Sequence, residues 1–291
     1  MSTNPQLTSI EDLNEMARQI RRDIINMLLI SKSGHSGGPL GMADFFTALY
    51  FNKMSLDPQK PDAEDRDYFF LSIGHIAPVW YATLARRGYF PIDELKTLRK
   101  VNGRLQGHPS HMKTHGVPGV EIASGSLGQG PSIAVGTALG LKLSGKSNHV
   151  YCVVGDGELQ EGQIWEAVMT AAHHKCDNLT VIIDKNDCQI DNRVQNVLNM
   201  DSIPDKFKAF NWEVVEVNGN DMQSILDGID KAKTIKGKPT CIVAQTFMGR
   251  GVSFMEDKFQ WHGVPPNDEQ GKIALTELTK TKFGDFVELE L

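Results

Sequence analysis

The sequence predicts an α/β protein built on a mainly parallel sheet with helices on both faces, and three observations carry that prediction. From Val150 onward, short apolar runs alternate with stretches of helical length: VYCVV, QIWEAVMTAAHH, LTVIID, WEVVEV, MQSILDGIDKAK and TCIVAQT. Several of the short runs are apolar at successive positions, as strands covered on both faces must be. The first run breaks at Gly155-Asp156-Gly157 and the second strand run leads into Asn186, so polar groups gather at strand ends, where open parallel sheets take their ligands.

Upstream, Ser9-Ile-Glu-Asp12 offers a capping-box pattern ahead of Leu13, Met16, Ile20, Ile24, Met27 and Leu28, so residues 10–31 read as one long helix. SKSGHSGGPLG reads as a glycine-rich loop, and MADFFTALYF as an apolar helix after it. DYFFLSIGH reads as a short strand that empties into a loop carrying His75, followed by a helix from about Val79 to Arg87. Residues 102–131 are rich in Gly, Pro and His, and too long for a mere connector, which marks a functional loop. Ser132 to Leu143 reads as a small-residue helix able to pack closely on a sheet, the stretch between LTVIID and WEVVEV as merely polar, and residues 268–291 as an amphipathic tail. There is no internal repeat and no low-complexity segment, and residues 1–291 are expected to form one domain.

Composition narrows the function. The 291 residues are 40% apolar, with no run of eighteen apolar residues, so a soluble globular chain with no membrane partner is expected. The net charge is -6, and 30 basic residues are interspersed with 36 acidic ones, which argues against nucleic acid as a partner. Cys152, Cys176, Cys188 and Cys241 lie far apart and form no zinc or redox spacing, so they read as structural thiols in a reducing compartment. The polar, acidic start lacks the features of a signal peptide, and cytoplasmic localisation is the expectation.

Asp156 and the Asn186 amide oxygen offer two hard oxygen ligands on one sheet edge, and Gly157 lets a backbone approach a phosphate closely. Magnesium prefers such oxygens and completes its shell with substrate phosphates and water. A carboxylate and an amide so placed would clamp a metal diphosphate. Singly, GDG is a common turn and a strand-end Asn often forms an Asx-turn; jointly they point to a site.

At this point the chain resembles the thiamin-diphosphate enzymes, and specifically the N-terminal, diphosphate-binding (PP) half of transketolase. The matching stretches, in family order, are SGHSGGPLGMADFFTALYF, LSIGHIAPVWYATLARRGYF, GRLQGHPS, GSLGQGPSIAVGTALGLKL, GDGELQEGQIWEA and GRGVSFMEDKFQWHG. The resemblance implies Asp156 and Asn186 as side-chain ligands of Mg2+, or Ca2+ or Mn2+ in its place, with the Cys188 backbone carbonyl as a third. It implies a cofactor site at Gly125, Leu127, Gly155, Gly157 and Glu158, with Leu127 supporting the bent cofactor. His75 and His262 are expected near the diphosphate and thiazolium, His35 and His108 on the hydroxyl and carbonyl oxygens of the sugar, and Glu161 at a subunit contact linking paired sites. Imidazoles that titrate near neutrality suit a carbonyl that becomes an alkoxide and reverts.

Blander readings stand beside these. Glu158 and Glu161 would serve a helix dipole if they lay in its first turn, worth about half a kcal/mol. Arg250 and Lys258 read equally as solvated charges, and His111, His115, His149, His173 and His174 as structural or surface residues. Ser126 stands where many relatives have proline, and Ser110 where an acid is frequent; Ile76-Ala77-Pro78 after His75 is similar to the variant in split members of the family.

Nothing in the sequence matches the family's pyrimidine-binding domain, which holds the glutamate that activates the cofactor, so a second, C-terminal transketolase subunit is expected in an α2β2 heterotetramer. The activity implied is transfer of a two-carbon ketol (glycolaldehyde) unit from a ketose phosphate, or a related ketose, to an aldose, as in pentose phosphate carbohydrate metabolism. A 1-deoxyxylulose-phosphate synthase-like enzyme, a noncatalytic thiamin-diphosphate-binding module and a chain cut from a longer enzyme are the alternatives. A nicotinamide dehydrogenase is set aside, because GSLGQG follows a loop rather than a strand.

Overall fold

In the computed structural model, residues 6–111 and 116–289 are described; His115 lies outside them. Helix α1 (Ile10–Ser31) starts where the Ser9 hydroxyl accepts the Asp12 N–H, 3.0 Å away, and its apolar positions at helical spacing are fully buried.

The next segment differs from the sequence expectation. Gly37–Gly41 of the expected loop is helix α2, followed by α3 (Ala43–Ala48) and a π-helical turn at Leu49–Lys53. The glycines serve close packing here, not freedom of the chain. A Cβ on Gly37 would sit 2.3 Å from Met248 Cγ, one on Gly38 2.7 Å from Ile76 Cγ2, and one on Gly41 2.9 Å from the Phe247 carbonyl oxygen.

Strand β1 (Tyr68–Leu71) leads through a 3-10 turn at Gly74–Ile76 into α4 (Ala77–Arg87), with Pro78 in its first turn. Then come α5 (Gln129–Leu143), β2 (Val150–Gly155), α6 (Gly162–His173) and β3 (Leu179–Lys185). The stretch read as merely polar holds two short helices, α7 (Val194–Val197) and α8 (Ile203–Ala209). Helix α8 is capped by the Ser202 hydroxyl and buries only Ile203 and Phe207, too few positions for a period to show. β4 (Glu213–Asn218), α9 (Met222–Thr234), β5 (Thr240–Gln245) and α10 (Asp268–Glu277) complete the order.

The five strands form one sheet in the order β1-β2-β3-β5-β4, parallel throughout. Side chains alternate between its faces. Tyr151, Val153, Ile182 and Ile242 join the core with α1, α3, α4 and α9, while Val150, Cys152, Val154, Val181 and Val243 join a second core with α5, α6 and α8. All four cysteines are buried free thiols, as expected. Beyond α10 the chain returns over α1, where Asp285 pairs with Arg22. Among the described residues no helix is long and apolar enough to cross a membrane.

Candidate active site at the carboxyl ends of the strands

β2 and β3 are direct neighbours, with Gly155 opposite Asp184. Asp156 and Asn186 therefore leave adjacent strands side by side, as their positions in the sequence suggested. Asp156 is 2% exposed; its Oδ1 accepts the Gly157 N–H at 2.8 Å and its Oδ2 the Asp187 N–H at 2.6 Å. The Asn186 amide donates to Asp184 Oδ2 at 2.9 Å, and its Oδ1 accepts the Cys188 N–H at 3.0 Å, which turns the amide oxygen away from Asp184.

Asp184 is a residue the sequence reading passed over. It is fully buried, accepts the Thr246 hydroxyl, and orients Asn186. Its signal was present: one acid at the end of an otherwise apolar run, two residues before Asn186. Burial, and then the neighbouring Asp184, push the Asp156 carboxyl up to about 8, and burial pushes Asp184 up to about 6. Among the described residues neither carboxylate forms an ion pair, so the pair lacks a countercharge from protein.

Beside them opens a cavity of about 470 Å3, and every candidate site residue named from the sequence lines it: His35, His75, His108, His262, Gly125, Leu127, Gly155, Asp156, Gly157, Glu158, Glu161, Asn186 and Cys188. Three imidazoles form a cluster, with ring centres 5.0 Å apart for His35 and His75, 5.1 Å for His75 and His262, and 5.7 Å for His35 and His262. Among the described residues, the buried Nδ1 atoms of His35 and His262 and the Ser124 hydroxyl have no hydrogen-bond partner. His108 stands at the exposed mouth of the cavity, against Gly125, where a Cβ would lie 2.8 Å from its ring.

The imidazoles are less basic than free histidine. Burial, then the neighbouring His262, lowers His35 to about 4, and burial with the same neighbour lowers His75 to about 3. Burial lowers His262, and burial with Arg99 lowers His108. In this cleft they are neutral at pH 7, so each both donates and accepts. Because the folded values of His35 and His75 lie below the unfolded 6.5, stability present above that pH is expected to drain away as the pH falls from 6.5 toward about 3. Thermal melting across this window checks it: a His75→Asn chain should lose less melting temperature than the parent.

The two glutamates differ in setting, and neither lies in the first turn of a long helix. Glu161 is the exposed N-cap of α6, without a side-chain cap bond, and Glu158 is buried in the 3-10 turn Gly157–Gln160. Both Glu158 oxygens are engaged: Oε1 by the Gly128 N–H at 2.7 Å and the Ser72 hydroxyl, Oε2 by the Gly155 N–H at 3.1 Å. His111 bonds the Val120 carbonyl and His149 the Thr180 hydroxyl, while Arg250 pairs with Glu256, so these take the structural readings.

Among the described residues no group of three or more His, Cys, Asp or Glu side chains is disposed to hold a metal ion. Two side-chain oxygens need backbone and ligand oxygens to complete a shell, which is the usual manner of magnesium at a phosphate.

Comparison with known proteins gives the arrangement its context. Residues 12–285 match the family model described as transketolase, thiamine diphosphate binding domain. The chain is 40% identical over 276 residues to one subunit of the apulose-4-phosphate transketolase of Actinobacillus succinogenes, covering 94% of this chain and 99% of that protein. It is 39% identical to the 6-deoxy-6-sulfo-D-fructose transketolase subunit SqwG of a Clostridium species, covering 92% and 97%. The crystal structure of transketolase from Campylobacter jejuni superposes with a TM-score of 0.88 at 32% identity, covering 96% of this chain and 44% of that one. The chain thus spans less than half the length of that transketolase.

Proposed function

The chain belongs to the transketolase family, as its thiamin diphosphate-binding domain, and from that premise we propose that it is the cofactor-anchoring subunit of a two-chain transketolase. With a pyrimidine-binding subunit it transfers a two-carbon ketol unit from a ketose to an aldose. The observation that carries the reading is the meeting, at one cavity, of the adjacent Asp156 and Asn186 with four imidazoles. Relatives named as single subunits of transketolases, which the chain matches over 99% and 97% of their length, support the two-chain form.

The residues present fit the cofactor. The unpartnered imidazole nitrogens ask for a ligand, and the buried Asp156 and Asp184 carboxylates ask for a cation. Asp156, the Asn186 oxygen and the Cys188 carbonyl would hold Mg2+, or Ca2+ or Mn2+, against the diphosphate, with Gly155 and Gly157 lending close backbone approach. Thiamin diphosphate, when bound, supplies the nucleophilic carbon and electron sink that carbon–carbon cleavage needs. His75 and His262 orient the diphosphate and thiazolium ends. His35 and His108, neutral at pH 7, donate to the sugar carbonyl oxygen and accept from its hydroxyls. Leu127 props the cofactor, and Glu161, at the rim, faces the subunit contact.

Helix α5 supports the assembly. Its outward side carries Ile133 and Leu143, and a Cβ on Gly136 or Gly140 would meet only open space. A helix apolar on both sides is built to be covered, which suits an α2β2 assembly.

The names of the relatives extend the donor and acceptor panel to apulose phosphate and sulfo-sugars. Mixing this chain with its pyrimidine-binding partner, then assaying ketol transfer over sugar phosphates and sulfo-sugars, tests the reading, with light scattering on the same mixture. Activity that appears only on mixing, in a particle of four chains, is expected. Tight diphosphate binding without turnover in the complex would mark a noncatalytic module instead.

A further inference from the structure

We propose that Glu158 is a positioning residue: its buried carboxylate fastens the glycine-rich segment 125–130 to the tips of β1 and β2, and so sets where Leu127 and His108 stand. The inference rests on the function proposed above only in what Leu127 and His108 then do.

The geometry is that of a clasp between distant parts of the chain. Glu158 Oε1 takes the Gly128 N–H, 30 residues away, at 2.7 Å, and the hydroxyl of Ser72, 86 residues away. Oε2 takes the Gly155 N–H at 3.1 Å. The Ser72 hydroxyl, held as a donor by Glu158, accepts the Gly130 N–H at 3.1 Å. Helix α5 has a glycine N-cap, Gly128, with no side chain to satisfy its first N–H groups, and Pro131 has no N–H to offer. Glu158 and Ser72 together serve as the missing cap, from elsewhere in the sequence.

Apart from the exposed Gln129 side chain, which exchanges bonds with Gln163 of α6 at 2.6 and 3.2 Å, the ties of the segment run through its backbone. Among the described residues, the backbone N–H groups from Ser124 to Gly130 reach the rest of the protein through Ser124 to the Pro109 carbonyl, Gly128 to Glu158 and Gly130 to Ser72. The same segment touches the cleft at two points. Leu127 lines the cavity directly, and the His108 ring rests on Gly125. Gly128 has φ +84°, and a Cβ there would lie 2.8 Å from Glu161 Cβ, so the segment is seated without slack. A carboxylate engaged by three protein donors has little left for a ligand.

Hydrogen–deuterium exchange on the full chain, comparing the parent with Glu158→Gln, Glu158→Ala and Ser72→Ala, tests the proposal without any assay of turnover. Glu158→Gln keeps one oxygen for Gly128 and Ser72 but presents N–H groups to Gly155. Amides in 124–130 should exchange about threefold faster in Glu158→Gln, whose remaining oxygen is a weaker, uncharged acceptor, and at least about tenfold faster in Glu158→Ala, with the Gly155 amide loosened in both while the rest of β2 and β3 stays protected. Ser72→Ala, which leaves the carboxylate in place, should loosen Gly130 more than Gly128. Titration with thiamin diphosphate and magnesium should show affinity weakened about tenfold, the scale on which supporting partners act. In the complex with the pyrimidine-binding partner, KM for the donor should rise more than kcat falls.

Unchanged exchange in 124–130 with affinity lost would make Glu158 a direct cofactor contact and overturn the proposal. So would exchange that rises uniformly across the sheet, the mark of a merely structural group. Should Glu158→Ala fail to fold, Glu158→Gln and Ser72→Ala still decide. Should the chain bind no diphosphate, the proposed function fails while the exchange result stands.

Discussion

An Asp156→Ala chain is expected to lose at least about a hundredfold in affinity for thiamin diphosphate in the presence of magnesium, roughly 2.7 kcal/mol, and to gain nothing from added metal. Of the two side chains proposed as ligands only this carboxyl can carry a formal charge, and it is buried beside Asp184 with no cation paired to it among the described residues. Its partner oxygen, from Asn186, is neutral, so the metal loses most of its attraction when the charge goes. Asp156→Asn sharpens the test. It keeps the shape and can keep the bond from Gly157, and it removes a buried carboxyl beside Asp184, but it turns an amide N–H toward the Asp187 N–H that Oδ2 accepts. The loss of the Asp187 bond should lower the melting temperature with or without metal, while the metal-dependent part of binding disappears. Calorimetric titration with magnesium and with a chelator separates the two, and unchanged affinity would exclude Asp156 as a ligand.

Asp285→Ala should cost about 3 kcal/mol of stability, although the residue lies far along the chain from the helix it holds. Arg22 is 3% exposed on α1 and donates to both Asp285 oxygens, at 2.7 and 2.5 Å, and to the Leu275 and Leu278 carbonyls. Nearby, Arg86 grips Asp23 and the carbonyls of Phe283 and Gly284. Removing one partner of a buried pair leaves a charge in a site built for two, which costs about 3–5 kcal/mol. That is a large part of a typical stability of about 5–15 kcal/mol. Burial alone would raise the Asp285 carboxyl, but the bonds from Arg22 and Gln19 outweigh it and hold it below the usual range. Its contribution is therefore complete above about pH 4 and is lost as the pH falls through the lower folded value. Urea unfolding at pH 7 and pH 3 measures both effects, and a midpoint at pH 7 that does not move would remove the tail from the stability account.

What was legible in the sequence was whatever depends on short range and period. The long helix 10–31, the strands after Val150 and the placing of Asp156 and Asn186 on one edge all follow from spacing alone. What stayed hidden depends on partners far away. Gly37 and Gly38 read as loop residues because nothing local shows that Met248 and Ile76 press against them. Helix α8 escaped because two buried residues make no period, and Asp184 because its role is to turn another side chain. Glu158 was legible as a residue of the cleft, but its bonds to Ser72 and Gly128 were not. The residue types of the four cleft histidines were plain, whereas the depth of burial that keeps them neutral is a property of the assembled walls.

The pairing of Gly155 with Asp184 has a further implication for how such a protein diversifies. The gap between Asp156 and Asn186 is ruled off by rungs of a hydrogen-bonded ladder, so it is inherited with the fold. Residues 102–111, 116–128 and 198–202 lie outside that ladder. Descendants of this scaffold are thus free to rewrite those loops while the strand-end pair beneath keeps its gauge.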